Sequence, residues 1–249
     1  MVKFLMFAER NRDTIAPYFR AIGSHIRNFI YRLDYSDTWT IRFRDHCVAY
    51  IPIPKAANSS IRYALLPLVG MQAGEVEHIQ AFTGYDKLRF SAAAASIDEG
   101  WYVFTVVRNP YSRFVSAYLN KVRESRPVFR AFAAMGVTAG HSLESFASIV
   151  EGWPRPLLND HLMPQSMLLS RALQLPQLKV YRVEDLATDW EEVRAAISAR
   201  TGLAIGPLGH ANASAERENW RSHLTPRARR IINRIYADDF STFGYAVED

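Results

Sequence analysis

The sequence has one cysteine, Cys47, in 249 residues. A single thiol excludes an internal disulfide framework and a zinc site built on several cysteines. Cys47 lies in an apolar run and is expected to be a small buried side chain. Long apolar stretches are missing as well. The opening "MVKFLMFAERNRD" meets charges too soon to span a bilayer and lacks a small-residue cleavage site, so no transmembrane segment is expected. The simplest expectation is a soluble, cytoplasmic protein. Basic residues exceed acidic ones by 30 to 25, without a basic block or an aromatic-interleaved basic stripe. That mild excess suits an anionic small ligand and argues against nucleic acid as a partner. Internal repeats, low-complexity tracts and glycine/serine linkers are missing too, and oligomeric state is left open.

What is present is core-forming material. Hydrophobic residues make up 49% of the chain, enough for one sizeable core. The expectation is a single domain over 1–249, with 1–45 an N-terminal extension of unassigned role. Strand-like and helix-like segments alternate, which predicts an α/β fold with a central parallel sheet flanked by helices. Strands are predicted over 46–53, 101–107 and 178–183, and the middle one, "WYVFTVV", is almost wholly apolar. Pro52 cannot donate to a ladder, so the first strand should stop or bend near Ile51. Helices are predicted over 59–69, after Asn109 and Pro110, over 189–200 behind the "TDWE" capping box, and after Thr225-Pro226.

The segment "YIPIPKAANSSIRYALL" (50–66) places a lysine and small residues between an apolar strand and a helix. In parallel sheets, ligands collect at the carboxyl ends of strands. Lys55 supplies a point charge there. Ala56, Ala57 and Asn58 let the backbone approach an anion closely, and Ser59 and Ser60 add hydroxyls. The loop contains no glycine, and its lysine precedes the small residues, so it is not the Walker pattern G-x-x-x-x-G-K-[ST]. By itself it reads equally as a polar turn.

A second anchor stands some fifty residues on, in "FTVVRNPYSRFVSAYLNKV" (104–122). Arg108 directly follows a buried strand, where a cation is costly unless an anion pairs with it. On the next helix, Arg113, Ser116, Asn120 and Arg123 form one polar stripe, with Ser116 aimed back toward Arg108. Phe114, Val115, Tyr118 and Val122 cover the opposite side. Asn120 and Arg123 read as a solvated face. Two anion anchors at successive strand ends suit a ligand with phosphate groups at two separated positions.

"PIPKAANSSI" and "VVRNPYSRFVSAYLNKV" resemble the two cofactor-binding motifs of sulfotransferases that use 3′-phosphoadenosine 5′-phosphosulfate (PAPS). The likeness is to the Golgi-type carbohydrate sulfotransferases and their bacterial relatives, and it implies a P-loop-like three-layer fold. "DHLMPQS" (160–166) resembles that family's H-x-x-P-Q segment, and "IYADDFSTFGY" (235–245) its usual ending. The resemblance implies that Lys55 and its loop, residues 55–60, hold the 5′-phosphosulfate, and that Arg108 and Ser116 hold the 3′-phosphate. The product would be adenosine 3′,5′-bisphosphate, and no metal is required. The acceptor would be a hydroxyl of a glycan or another compound.

The resemblance also implies a base after the lysine loop, and "GEVEHIQ" offers His78 and, if burial raises its pKa, Glu77. His161 and Gln165 are candidates to line the acceptor cleft. Glu184 and Asp185 read as orienting residues or as a simple turn, and Ser214 and Arg217 as candidates for a late loop over the nucleotide. Arg123, Arg126 and Arg130 could greet an acidic glycan or form a solvated surface. Two other readings stay open: a P-loop-type kinase and a non-catalytic nucleotide-binding protein.

Overall fold

The computed structural model describes residues 37–209 and 219–249. Ser214 and Arg217, like residues 1–36, lie outside the described residues. The fold is α/β. Five strands form one mixed sheet: β1 (Trp39–Phe43), β2 (Val48–Ile51), β3 (Asp86–Arg89), β4 (Tyr102–Val107) and β5 (Leu178–Arg182), in the order β3-β1-β2-β4-β5. Strands β2, β4 and β5 run parallel, in register Ile51↔Thr105 and Val107↔Arg182, and these are the three read from the sequence. β1 is antiparallel to both of its neighbours.

Two strands were not legible in advance. β1 alternates apolar and polar residues, yet both faces are covered, and Arg42 is only 3% exposed. The Asp86 carboxylate accepts from Arg42 Nη2 at 2.8 Å, so the buried charge is paired across the β1–β3 seam. β3 reads "DKLR", three charges in four residues. Residues 39–43, assigned by sequence to an extension, therefore sit inside the sheet.

The helices are α1 (Asn58–Ala64), α2 (Phe90–Ala94), α3 (Pro110–Tyr118), α4 (Arg130–Ala133), α5 (Leu143–Glu151), α6 (Gln165–Leu169), α7 (Leu186–Thr201), α8 (Pro226–Ile235) and α9 (Ala237–Phe243). Alternate residues of β4 feed two cores. Val103 and Val107 pack with Phe114 and Phe146 on one side. Phe104 and Val106 pack with Trp190 and Val193 on the other, which makes three layers.

Strand β2 ends at Ile51, before Pro52, as the missing donor requires. Asn109 caps α3 by accepting from the N–H groups of Tyr111 and Ser112, with Pro110 in the first turn. Thr225 Oγ1 likewise accepts from Ala228 N ahead of α8, whose Ile231, Ile232 and Ile235 are buried.

Two expectations fail. Cys47 is exposed, because the chain turns there through a left-handed residue (φ 50°) before entering β2. Helix α7 begins at Leu186, so Thr188 is not its cap. The buried face Leu186, Trp190, Val193 and Ile197 sets the start, and the N–H groups of Thr188 and Asp189 bond to the Asp185 carbonyl.

Candidate active site

Because β2 and β4 are parallel, the loop after Ile51 and the residue after Val107 emerge side by side. Lys55 and Ala57 adopt left-handed φ values of 70° and 53°. This curls the backbone without glycine, at a cost of about 1–2 kcal/mol per residue. Ala56, buried between them, bonds its N–H to the Ile53 carbonyl at 3.2 Å. The curl at Lys55 is thus held by packing of Ala56 rather than by glycine.

Arg108 sits against this loop. Its Nη1 donates to the Lys55 carbonyl at 3.2 Å, and its Nε donates to Ser112 Oγ at 2.8 Å. Ser112, missed in the sequence, is one turn before Ser116 on α3, and both are buried. The signal for Ser112 was its spacing of four from Arg108. Asn120 Oδ1 accepts from Lys55 Nζ at 2.9 Å. A π-helical turn, Leu119–Arg123, follows α3 and carries Asn120. Asn120 therefore belongs to the site and not to a solvated face, whereas Arg123, Arg126 and Arg130 are exposed.

Arg113, placed by sequence in the same polar stripe, is 1% exposed. Its guanidinium donates to three carbonyls: Pro54 at 3.1 Å, Met163 at 2.9 Å and Asp160 at 2.8 Å. It ties the lysine loop to the "DHLMPQS" segment. That segment places His161 beside Phe129 and Phe132, with Nδ1 2.7 Å from Asn159 Oδ1. Burial, then the charges of Lys121, Lys55 and Arg113, push the His161 pKa down to about 3. The ring is neutral at physiological pH, and its proton on Nδ1 satisfies the Asn159 oxygen, leaving Nε2 as an acceptor.

Gln165 is fully buried. Its Oε1 accepts from Arg108 N at 2.9 Å and its Nε2 donates to the Arg108 carbonyl at 2.8 Å. Glu184 Oε1 accepts from Asn109 N at 2.9 Å, so this carboxylate holds the turn that carries Arg108. Asp185 is the capping residue of α7 without a side-chain cap bond.

Glu77 and His78 stand apart from this network. Their side chains are 89% and 76% exposed and lie 3.5 Å from each other. Their backbone is tied to α1, since Tyr63 OH donates to the Glu77 carbonyl at 2.8 Å. Glu77 is thus an exposed carboxylate rather than a buried one. A cavity of about 700 Å³ lies on the far side of α1, between Tyr63, Pro67, Met71 and Pro207, and it meets the lysine loop only at Ser60. It contains neither Lys55 nor Arg108.

Among the described residues, no group of three or more histidine, cysteine, aspartate or glutamate side chains could hold a metal. Nor, among them, is any helix long and apolar enough to cross a membrane. A model of the sulfotransferase family matches residues 39–246, from β1 to the segment after α9. No curated protein and no solved structure matches.

Proposed function

This chain belongs to the sulfotransferase family, and we propose that it moves a sulfuryl group from PAPS to a hydroxyl of a carbohydrate. The observation that carries the reading is the bond from the Arg108 guanidinium to the Lys55 carbonyl at 3.2 Å. It ties the Arg108 guanidinium to the backbone of the loop that carries Lys55, at neighbouring strand tips, which fits a nucleotide anionic at both its 5′ and 3′ ends. The carbohydrate acceptor follows from the likeness of the Arg108–Ser116 and "DHLMPQS" segments to carbohydrate sulfotransferases.

The donor supplies an activated sulfuryl group on a phosphate leaving group. Lys55, held by Asn120, stabilises the charge that develops on the departing 5′-phosphate oxygen. The N–H groups of residues 57–60, at the start of α1, add donors that are already oriented. Arg108 and Ser116, with Ser112, hold the 3′-phosphate. These groups are donors, so the positive charge of the site does without a metal bridge. The candidate bases His78 and Glu77 have exposed side chains, on a backbone tied to α1 through Tyr63. His161 is neutral and lies within reach of the charges of Lys121, Lys55 and Arg113, which suits it to accept a hydrogen bond from the acceptor hydroxyl.

Transfer from labelled PAPS to a panel of carbohydrates, in the presence of a chelator, tests this reading. The wild type should sulfate at least one member, and Lys55→Ala should lower the rate by about 10²–10³-fold. Transfer of phosphate from ATP with magnesium, and no sulfate transfer, would replace it with a kinase.

A further inference from the structure

Two motifs of the sequence are not accounted for by contact with a nucleotide: the "PQS" of residues 164–166 and the ending "IYADDFSTFGY". The structure joins them. The Asp239 carboxylate is fully buried. It accepts from Gln165 N at 2.9 Å, Ser166 N at 2.8 Å and Ser166 Oγ at 2.6 Å, with Gln165 Nε2 at 3.4 Å. Gln165 in turn brackets both backbone polar groups of Arg108. A second path runs parallel to the first. Tyr245 OH donates to Glu184 Oε2 at 2.9 Å, and the other oxygen of Glu184 accepts from Asn109 N. The ending is itself anchored to the sheet, since Arg182 Nη2 donates to the Phe243 carbonyl at 2.5 Å and its guanidinium lies over the Tyr245 ring.

From this geometry we infer that Asp239 and Tyr245, acting through Gln165 and Glu184, are positioning residues that aim Arg108 at the 3′-phosphate. The inference rests on the sulfotransferase reading above and deepens it. Arg108 is the first residue beyond the last ladder position of β4, so β pairing does not fix its backbone. Two side-chain clamps do so instead: Gln165 holds both peptide units that flank Arg108, and Glu184 holds the second of them. A buried carboxylate with its lone pairs filled is a rigid support, because any tilt of Gln165 leaves a desolvated group unpaired. Gln165 is thereby a support of the nucleotide end and not a contact of the acceptor.

The test is the affinity ratio of adenosine 3′,5′-bisphosphate to adenosine 5′-monophosphate, measured by calorimetry. The monophosphate reports on the Lys55 end alone, so the ratio isolates the Arg108 end. Gln165→Met and Asp239→Asn should lower the ratio about tenfold, and Tyr245→Phe roughly threefold, with monophosphate affinity unchanged. Tyr245→Phe keeps the ring over Arg182 and serves if the buried variants fail to fold. In an Arg108→Ala background the same changes should leave the ratio where it is. A wild-type preference that survives in all variants, with only lower melting temperatures, overturns the inference and leaves the sulfotransferase reading intact. A wild type with no preference overturns that reading and this inference with it.

Discussion

The Arg108 guanidinium donates to the main-chain carbonyl of Lys55 at 3.2 Å, across a separation of 53 residues. Parallel pairing of β2 with β4 brings the two segments together, since both follow the carboxyl ends of adjacent strands. The Arg108 guanidinium thus lies against the backbone of the lysine loop, while Asn120 accepts from the Lys55 ammonium and Ser112 from the Arg108 guanidinium.

Asn120→Ala removes the partner of the Lys55 ammonium. A hydrogen bond to a charged group is worth about 1.5–3 kcal/mol. Sulfate transfer should slow roughly tenfold or more, with kcat falling further than KM rises. Steady-state kinetics check this, and an unchanged kcat would show that Lys55 needs no such support.

Arg113 is a structural bolt. Arg113→Leu leaves the buried Met163 carbonyl and the part-buried carbonyls of Pro54 and Asp160 without this donor, at about 1–3 kcal/mol for a buried group. Chemical denaturation should show a loss of about 3 kcal/mol or more, accompanied by weaker nucleotide binding as the 54–57 loop loosens. A loss within about 0.5 kcal/mol, as for a surface site, would contradict its burial.

Ala57 holds a left-handed conformation that costs alanine about 1–2 kcal/mol. Glycine removes that strain, and its greater unfolded-state entropy takes back about 0.4–1 kcal/mol. Ala57→Gly should therefore raise the denaturant midpoint, with a gain of about 0.5–1 kcal/mol, while Ala57→Val should lower it. The opposite order would mean the loop is not strained.

His161 has its folded pKa depressed from 6.5 to about 3 by burial and neighbouring cations. The unfolded chain then binds a proton that the folded one refuses, so this contribution to stability is full above pH 6.5 and is lost as pH falls toward 3. Stability measured against pH in this window should show the uptake of about one proton on unfolding, and His161→Gln should remove that component. Equal slopes in both proteins would place the ring in water.

How much of this was legible depended on sequence distance. Arg108 and Lys55 stood out because charges that end apolar strands need a reason to be there. The Asn109-Pro110 and Thr225-Pro226 starts follow from local capping chemistry. β1 was hidden because Arg42 is paired across the sheet with Asp86, 44 residues away. Arg113 looked like part of a solvated stripe, since helical spacing does not reveal that loop carbonyls converge on it. The Gln165–Asp239 contact spans 74 residues, and no local pattern announces it.

Thermal melting with adenosine 3′,5′-bisphosphate in magnesium-free buffer is the most direct test of the central claim, because a ligand that binds only the folded state raises its melting temperature. The account predicts a clear rise for the wild type and none for Arg108→Ala. Stabilisation by ATP with magnesium, and none by the bisphosphate, would contradict it.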